Sequence, residues 1–217
     1  MRPRIKICCI ANEGEAQLAI NMGADAIGLV GKMPSGPGPI EDDLIRSIAE
    51  SIPPPIATFL LTSEQMASEI IQHHYRTRTN TIQVVDQLTG KAYHELRAAL
   101  PGVKLVQVIH VNGEESVMEA CEVSELVDAI LLDSGNPKLA VKELGGTGRR
   151  HDWNLSRRIV ESCGKPVFLA GGLNAENVRE AIETVQPFGL DLCSGVRTNE
   201  KLDPLKLESF FAAVNRI

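Results

Sequence analysis

Short runs of apolar and β-branched residues alternate with longer amphipathic stretches along the whole chain of 217 residues. This alternation is typical of repeated strand–helix units, in which a parallel sheet is covered by helices. We predict eight strands, at Ile5–Ile10, Ala26–Val30, Ile56–Leu61, Thr81–Val85, Lys104–Val111, Ala129–Leu132, Val167–Ala170 and Leu190–Cys193. Eight units in so short a chain favour an α/β fold with parallel strands, a (β/α)8 (TIM) barrel forming one domain over residues 1–217. The alternative is a flavodoxin- or Rossmann-like sheet, but no G-x-G-x-x-G follows the first strand.

Four places in the sequence carry residue pairs that are typical of helix starts. Asn, Ser, Thr or Asp followed three residues later by Glu or Gln caps a first helical turn, and Pro favours the first helical position. The pairs are Asn12 with Glu15, Thr62 with Gln65, Asn112 with Glu115, and Asp203 with Pro204. We expect a helix to begin at each of them.

Two turns of small residues follow the seventh and eighth predicted strands. The first contains Gly171 and Gly172, with Asn174 opening a helix, and the second contains Ser194 and Gly195. Bare backbone N–H groups beside a helix start bind phosphate, and barrels commonly hold phosphate at these two loops. The alternative is that both are ordinary tight turns. The pair of turns predicts a phosphate site.

The first strand carries a candidate base. Because side chains alternate along a strand, Lys6 and Cys8 share one face, while Ile5, Ile7 and Cys9 share the other. The apolar face must meet the helices, so we expect Cys8 to point into the barrel near the ammonium group of Lys6. A nearby cation increases the thiolate fraction of a cysteine, and a thiolate can remove a proton. The alternative is that Cys8 is a small core residue.

Asp133 is the candidate acid, because it ends the apolar run of the sixth strand. An unpaired carboxylate at such a position is costly to desolvate and is hard to explain by packing. Its alternative role is to cap the following loop. Asp191 and Asp86 are further carboxylates expected near the same face, and His110 is a weaker candidate.

Composition and charge argue against several classes of protein, among them disordered, nucleic-acid-binding and membrane-spanning chains. Hydrophobic residues make up 43% of the chain and charged residues 23%, as in folded globular proteins. A net charge of −6 argues against a general nucleic-acid surface, and no apolar run is long enough to span a membrane. The five cysteines lack paired or metal-ligand spacing, so we expect reduced thiols and no metal. With no secretory signal, we expect a cytoplasmic monomer or homodimer that binds a small phosphorylated molecule.

The longest interruption of the pattern runs from residue 134 to 151. It contains Gly145-Gly-Thr-Gly148 and then Arg149-Arg150. A connection of this length is uncommon, and its place after the sixth strand favours a functional lid over a merely flexible loop. A second loop on the same face is Pro34-Ser-Gly-Pro-Gly-Pro39.

Six segments distributed over the chain carry a family resemblance. They are Lys6-Ile-Cys-Cys-Ile, Gly23-Ala-Asp-Ala-Ile-Gly-Leu, Leu131-Leu-Asp133, Gly145-Gly-Thr-Gly-Arg-Arg-His-Asp-Trp153, Leu169-Ala-Gly-Gly-Leu-Asn-Ala-Glu-Asn-Val178 and Asp191-Leu-Cys-Ser-Gly-Val196. In order and spacing they resemble the phosphoribosylanthranilate isomerase family of tryptophan biosynthesis.

The resemblance implies an Amadori rearrangement of N-(5-phosphoribosyl)anthranilate to the carboxyphenylamino-deoxyribulose phosphate, with no metal or organic cofactor. It makes Cys8 the general base and Asp133 the general acid. It implies that the phosphate binds at Gly171, Gly172, Ser194 and Gly195. The further substrate-binding residues are Lys6, Asp191, Gly146 and Arg149.

The sequence departs from the family where anthranilate is recognised. The family's loop after the second strand carries an arginine for the anthranilate carboxylate, whereas Ser35-Gly-Pro-Gly-Pro39 has none. Cys9 replaces a glycine, and Arg149, Arg150 or Arg197 are the candidates to replace the missing arginine. Two alternatives therefore stay open: an isomerase of another phosphorylated sugar amine, and a non-catalytic paralogue that binds a phosphorylated ligand.

Overall fold

Eight parallel strands close into a barrel in the computed structural model, which describes residues 2–135 and 148–215. They are β1 (Arg4–Ile7), β2 (Ala26–Val30), β3 (Ala57–Thr62), β4 (Thr81–Val84), β5 (Lys104–His110), β6 (Ala129–Asp133), β7 (Val167–Leu169) and β8 (Gly189–Leu192). Each strand pairs with its neighbours in sequence, and β1 also pairs with β8. The predicted (β/α)8 barrel is confirmed, and the doubly wound alternative is excluded.

A helix follows each of these strands. The helices are α1 (Glu13–Asn21), α2 (Asp42–Ser51), α3 (Ala67–Thr77), α4 (Gly90–Ala99), α5 (Glu115–Ser124), α6 (Trp153–Ser162), α7 (Val178–Val185) and α8 (Pro204–Asn215). A hairpin of β9 (Arg197–Thr198) and β10 (Lys201–Leu202), which the pattern did not predict, precedes α8. Among the described residues, no helix has both the length and the apolar character needed to cross a membrane.

The sheet separates two apolar layers. Because alternate side chains of a strand point to opposite faces, Ile5 and Ile7 pack under the helices, whereas Cys8 lies inside the barrel. The barrel interior is filled by side chains from most of the strands, among them Val30, Phe59, Leu61, Val106, Val108, Leu131 and Phe168. This packed interior leaves the polar chemistry to the carboxyl ends of the strands.

Two of the predicted helix starts are confirmed. Oδ1 of Asn12 accepts a hydrogen bond of 2.9 Å from the backbone N–H of Glu15, at the start of α1. Oδ1 of Asp203 accepts hydrogen bonds from the backbone N–H groups of Leu205 and Lys206, at 2.9 and 3.2 Å. In both cases a side-chain oxygen satisfies N–H groups that have no partner within the helix.

The other two predicted helix starts are wrong. Thr62 ends β3, and its Oγ1 lies 3.0 Å from Nδ1 of His73, while α3 begins only at Ala67. Asn112 makes no cap for α5; its backbone N–H instead donates to Oγ of Ser116 at 3.2 Å. The spacing of residues in the sequence could not show that the hydroxyl group of Thr62 is already hydrogen-bonded to His73.

Candidate active site

A cavity that is open to solvent lies at the carboxyl ends of the strands. The cavity brings together seven of the predicted site residues: Cys8, Asp133, Gly171, Gly172, Asp191, Ser194 and Gly195. These residues come from distant parts of the sequence and meet because parallel strands end at the same edge of the barrel.

Lys6 is fully buried inside the barrel and forms an ion pair with Asp191. The two residues are opposite each other on β1 and β8, and Nζ lies 2.9 Å from Oδ1. Burial lowers the pKa of Lys6. The Asp191 carboxylate and, to a smaller extent, Cys8 raise it by more than burial lowers it, so the pKa of Lys6 lies above its ordinary value. Lys6 therefore places a permanent positive charge inside the barrel.

Cys8 lies one residue beyond β1, with its sulfur close to this charge. A Cβ atom added to Gly28 would lie 2.7 Å from Sγ of Cys8 and 3.0 Å from Nζ of Lys6, so only glycine allows both groups to approach. A hydrogen bond with Cys9 lowers the pKa of Cys8, burial raises it, and the charge of Lys6 lowers it again, with a lowered pKa as the result. The site therefore favours the thiolate form of Cys8.

Cys9 lines the cavity, and the prediction that it faces the helices is wrong. Strand β1 ends at Ile7, and Cys9 has a φ of 60°, the left-handed conformation that favours glycine. Alternation along a strand therefore no longer applies at this position. The sulfur of Cys9 lies 2.7 Å from Sγ of Cys193 and 3.7 Å from the carbonyl oxygen of Pro37.

Asp133 ends β6 at the wall of the cavity. Its Oδ1 accepts a hydrogen bond of 2.7 Å from the backbone N–H of Ser134, so the carboxylate also caps the loop that follows. Burial is the largest influence on Asp133 and raises its pKa to about 6, against the hydrogen bond from Ser134. A carboxyl group with this pKa is protonated in roughly a tenth of the molecules at pH 7, far more often than an ordinary aspartate, which suits a general acid.

The two glycine-containing turns lie against each other beside the cavity. Gly171 and Gly172 have positive φ angles of 84° and 64°. A side chain on Gly195 would overlap the carbonyl oxygen of Leu173, so the second turn packs directly on the first. Within residues 2–135 and 148–215, the N–H groups of Gly171, Gly172, Ser194 and Gly195 donate no hydrogen bond to the protein.

The prediction that Asn174 opens a helix is wrong. Helix α7 begins at Val178, four positions later, and the side chain of Asn174 caps the intervening turn. Its Oδ1 accepts hydrogen bonds from the backbone N–H groups of Glu176 and Asn177, at 2.9 and 3.1 Å. The anion-binding character of this corner therefore depends on the turn amides themselves rather than on the start of α7.

The end of the long loop covers these turns. A Cβ atom on Gly148 would lie 3.4 Å from Oγ of Ser194, and one on Gly171 would lie 2.9 Å from the carbonyl oxygen of Arg149. The backbone of Arg149 thus lies beside the predicted phosphate site. Gly146, also predicted to bind substrate, lies outside the described residues.

Two of the candidate replacement arginines already have partners within the chain. The guanidinium group of Arg150 stacks on the ring of Trp153 at 3.7 Å and lies 3.5 Å from the carboxylate of Glu180. Arg197 donates hydrogen bonds from Nη2 to the carbonyl oxygens of Cys8 and Cys9.

Arg197 also forms an ion pair with Glu15. Its Nη2 lies 3.0 Å from Oε2 of Glu15, and the two side chains are only 8% and 12% exposed. Arg197 therefore joins the loop after β8 to the loop after β1 and to α1. This arrangement does not support Arg197 as the partner of a substrate carboxylate.

The polar residues on β4 and β5 were predicted only in part. Gln83 on β4 was not predicted to belong to the site, yet it lines the cavity with Oε1 buried and without a hydrogen-bond partner among the described residues. The sequence did contain an indication of this role, because Gln83 is a polar residue at an inward-facing position of an otherwise apolar strand. Asp86 follows β4 and His110 ends β5, so both lie at the carboxyl ends of the strands as expected, but neither is among the described residues that line the cavity. Nε2 of His110 instead lies 3.2 Å from the carbonyl oxygen of Val85.

Comparisons with known proteins agree on one family. Residues 6–213 match the family model described as N-(5'phosphoribosyl)anthranilate (PRA) isomerase. N-(5'-phosphoribosyl)anthranilate isomerase 2 of Methanosarcina mazei is 37% identical, over 95% of this chain and 92% of the relative. The crystal structure of phosphoribosyl anthranilate isomerase from Thermotoga maritima superposes with a TM-score of 0.84 and 27% identity, covering 99% of this chain and 100% of that one.

A further solved structure of this enzyme was determined in complex with reduced 1-(o-carboxyphenylamino)-1-deoxyribulose 5-phosphate. It superposes with a TM-score of 0.82 and 25% identity, covering 99% of this chain and 100% of that one. That protein binds a phosphorylated analogue of the rearranged sugar.

Proposed function

The chain belongs to the N-(5'-phosphoribosyl)anthranilate isomerase family, and we propose that Cys8 and Asp133 carry out the family's isomerisation in the cavity at the carboxyl ends of the strands. The reaction is the Amadori rearrangement of N-(5-phosphoribosyl)anthranilate to the carboxyphenylamino-deoxyribulose phosphate, a step of tryptophan biosynthesis. It is an aldose–ketose isomerisation and requires no metal or organic cofactor.

Each step moves one proton within the site. Asp133 donates a proton to the ring oxygen of the ribose, and the ring opens to a Schiff base. The thiolate of Cys8 then removes the proton from C2′, and the resulting enolamine tautomerises to the aminoketose. Proton transfers by positioned side chains of this kind contribute roughly 10²–10⁴-fold to a rate.

The single observation that carries the proposal is that the surroundings in this cavity shift the pKa values of Cys8 and Asp133 in opposite directions. The pKa of Cys8 is lowered, by Cys9 and Lys6, while burial raises the pKa of Asp133 to about 6. A thiolate and a protonated carboxyl group are the forms that the base and the acid need. Pairs of groups whose environments move their pKa values in opposite directions are typical of acid–base sites.

The substrate phosphate binds, in this proposal, at the backbone N–H groups of Gly171, Gly172, Ser194 and Gly195, which have no acceptor among the described residues. Support comes from the close packing of the two turns, which makes their amides available to one anion. Binding the phosphate at one end of the sugar would hold C2′ near Cys8, and such orientation can lower an activation barrier by several kcal/mol. Lys6 contributes through its charge, and Asp191 by holding Lys6.

The group that binds the anthranilate carboxylate differs from that of the family pattern. Pro37 stands in the loop where the family has its arginine, and its carbonyl oxygen accepts a hydrogen bond from Cys9. Arg197 is bound to Glu15, whereas the backbone of Arg149 lies beside Gly171 and Gly172, which line the cavity. We propose Arg149 as the carboxylate partner on the strength of this position.

A steady-state assay with N-(5-phosphoribosyl)anthranilate, supported by complementation of a tryptophan auxotroph, tests the function. We expect turnover by the wild type and a loss of at least 10³-fold in kcat for Cys8→Ala and for Asp133→Asn, with both variants folded. Lys91→Ala, on the exposed side of α4, is the matched control. An inactive but folded wild type would favour another phosphorylated sugar amine as substrate, or the non-catalytic alternative.

We propose that the protein acts in the cytoplasm as a monomer or homodimer, without nucleic-acid partners. A biosynthetic role in the family supports the cytoplasmic location. Fractionation of cells and measurement of molar mass in solution test the location and the oligomeric state.

A further inference from the structure

Cys9 and Cys193 bring two thiol groups into contact at the rim of the cavity. Their sulfur atoms are 2.7 Å apart, and both side chains line the cavity wall. The two residues follow β1 and β8, which are neighbouring strands of the closed barrel. A disulfide has an S–S distance of about 2.05 Å, so the sulfurs need to approach by roughly 0.7 Å.

The surrounding contacts hold the two loops in this arrangement. The backbone N–H of Cys8 donates to the carbonyl oxygen of Leu192 at 2.7 Å, which fixes the register next to the pair. Arg197 donates to the carbonyl oxygens of Cys8 and Cys9 and so connects the β8 loop to the β1 loop. A Cβ atom on Gly38 would lie 2.6 Å from Cβ of Cys9, so the loop after β2 also confines Cys9.

The contact between Cys9 and Cys193 also differs from the other thiol pair in the described residues. Cys121 and Cys163 lie on the helical layer with their sulfur atoms 3.8 Å apart, and neither lines the cavity. Cys121 and Cys193 are both partly exposed, but Cys193 borders the open cavity, and its sulfur lies closer to that of its partner, at 2.7 Å. A small disulfide can reach Cys193 from solvent, which the exchange reaction requires.

We propose that Cys9 and Cys193 are a reversible oxidation site that forms a disulfide at the rim of the cavity and thereby lowers the activity. The oxidant is a low-molecular-weight disulfide such as oxidised glutathione. The Cys193 thiolate attacks one glutathione sulfur, the glutathione S–S bond breaks, and one glutathione thiolate leaves. The Cys9 thiol then loses its proton and attacks the Cys193 sulfur of the mixed disulfide, and the second glutathione leaves as its thiol.

The exchange balances in atoms and electrons. Two protein thiols are oxidised, one glutathione disulfide is reduced to two thiols, and excess reduced glutathione reverses both steps. No other co-reactant takes part.

The effect on activity follows from the position of the pair, and this part of the inference rests on the proposed function. Cys9 directly follows the proposed base Cys8, and Cys8, Cys9 and Cys193 all line the cavity. Closing the disulfide pulls the backbone of Cys9 toward the loop after β8, and it therefore shifts the adjacent Cys8 and the two loops that form the cavity wall.

The first measurement is independent of activity. The wild type and a Cys121→Ser variant, in which the helical thiol pair cannot close, are equilibrated with mixtures of oxidised and reduced glutathione and then alkylated. We expect an intramolecular disulfide, a mass loss of about 2 Da without a glutathione adduct. Tryptic peptides should link the segment containing Cys8 and Cys9 to the segment containing Cys193.

Two variants identify the bonded sulfur atoms. Cys9→Gly, which suits the left-handed backbone at this position, and Cys193→Ser should both abolish the linked peptide. A linked peptide that persists in Cys9→Gly would mean that Cys8 is the partner, and the absence of any link in the wild type would mean that the pair does not oxidise. Either result overturns the proposal.

The second measurement is the activity of each oxidised protein relative to its own reduced form. We expect a loss of at least tenfold for the wild type and for Cys121→Ser, recovered on reduction, and less than twofold for Cys9→Gly and Cys193→Ser. A disulfide that forms with no loss of activity refutes the regulatory effect. A loss that persists in Cys193→Ser refutes it too, because it places the oxidation on Cys8. An inactive reduced wild type contradicts the proposed function instead, and the peptide link still decides the oxidation site.

Discussion

At the scale of single residues, the site is formed by burying groups that water would normally solvate. Lys6 is kept charged inside the barrel by Asp191, at an N–O distance of 2.9 Å. Asp133 has no such cation in direct contact among the described residues, and burial raises its pKa. The same low-polarity environment therefore gives opposite outcomes, depending on whether a partner of opposite charge is close.

Asp133→Asn should increase the stability of the protein near neutral pH while abolishing its activity. The pKa of Asp133 rises from an ordinary value of 3.8 to about 6 on folding, so the folded state binds the proton more tightly. The contribution of this group to stability is fully present below pH 3.8 and is lost as the pH rises through 6. At pH 7.5 the wild type thus carries a cost of at most about 3 kcal/mol that asparagine avoids.

Denaturant unfolding of both proteins at two pH values measures this difference. The gain from Asp133→Asn should be on the order of 1–3 kcal/mol at pH 7.5 and close to zero at pH 4. Ser134→Ala, beside the same carboxyl group, serves as the comparison. A gain that does not grow with pH would contradict the assigned burial of the charge.

At the scale of elements, the loops after β1, β7 and β8 support one another. The second glycine turn packs on the first so closely that a side chain at residue 195 would overlap the carbonyl oxygen of Leu173. Arg197 connects the loop after β8 to Glu15 on α1. The site geometry therefore depends on contacts between loops as much as on the strands that carry them.

Gly195→Ala should weaken both the fold and the binding of phosphate. The new methyl group requires one of the two turns to move, and forced repacking of this kind costs about 1–3 kcal/mol. Gly102→Ala is the matched control, because a Cβ atom there meets nothing within 4 Å, and its effect should stay within about 0.5 kcal/mol. Equal stabilities and equal phosphate affinities for the two variants would show that the turns are not rigidly packed.

Arg197→Ala should destabilise the protein by about 3 kcal/mol, because it leaves the mostly buried carboxylate of Glu15 without its partner. Its effect on catalysis should appear in kcat, through the displaced backbone of Cys8 and Cys9, more than in KM. Arg150→Ala, which loses a partly exposed pair with Glu180, should change stability by less than about 1 kcal/mol. A large rise in KM for Arg197→Ala at unchanged stability would restore Arg197 as the carboxylate partner.

At the scale of the whole molecule, the barrel brings the phosphate-binding turns and the acid–base pair into one cavity. Ligand binding to the folded state alone must then raise the stability of the whole protein. Inorganic phosphate is the simplest probe of this linkage. At 100 times its dissociation constant it should stabilise the protein by about 2.7 kcal/mol, a rise in Tm of roughly 5–10 °C.

Thermal unfolding in phosphate, compared with sodium chloride at equal ionic strength, measures this effect. The rise should depend on phosphate concentration and should be smaller in Gly195→Ala than in Gly102→Ala. Identical rises in phosphate and chloride would show that the turn amides do not select the anion.

The sequence by itself determined the architecture of this protein. Period-two alternation within short apolar runs, repeated eight times, placed Ile5 and Ile7 toward the helices and Cys8 toward the interior. It also located Asp133 and both glycine turns at the ends of strands, because the end of an apolar run marks the edge of a parallel sheet. These are local properties, which neighbouring residues decide.

The tertiary structure decided the features that depend on residues far apart in the sequence. Alternation could not foresee that β1 ends at Ile7 and that Cys9 turns toward Cys193, a contact between residues 9 and 193. Charge alone could not show that Arg197 is bound by Glu15. Nor could it show that Gln83 faces the cavity with an oxygen that has no partner in the part of the chain that the structure describes. The direction of each side chain beyond a strand end, and the pKa that results, follow from neighbours that only the closed barrel brings together.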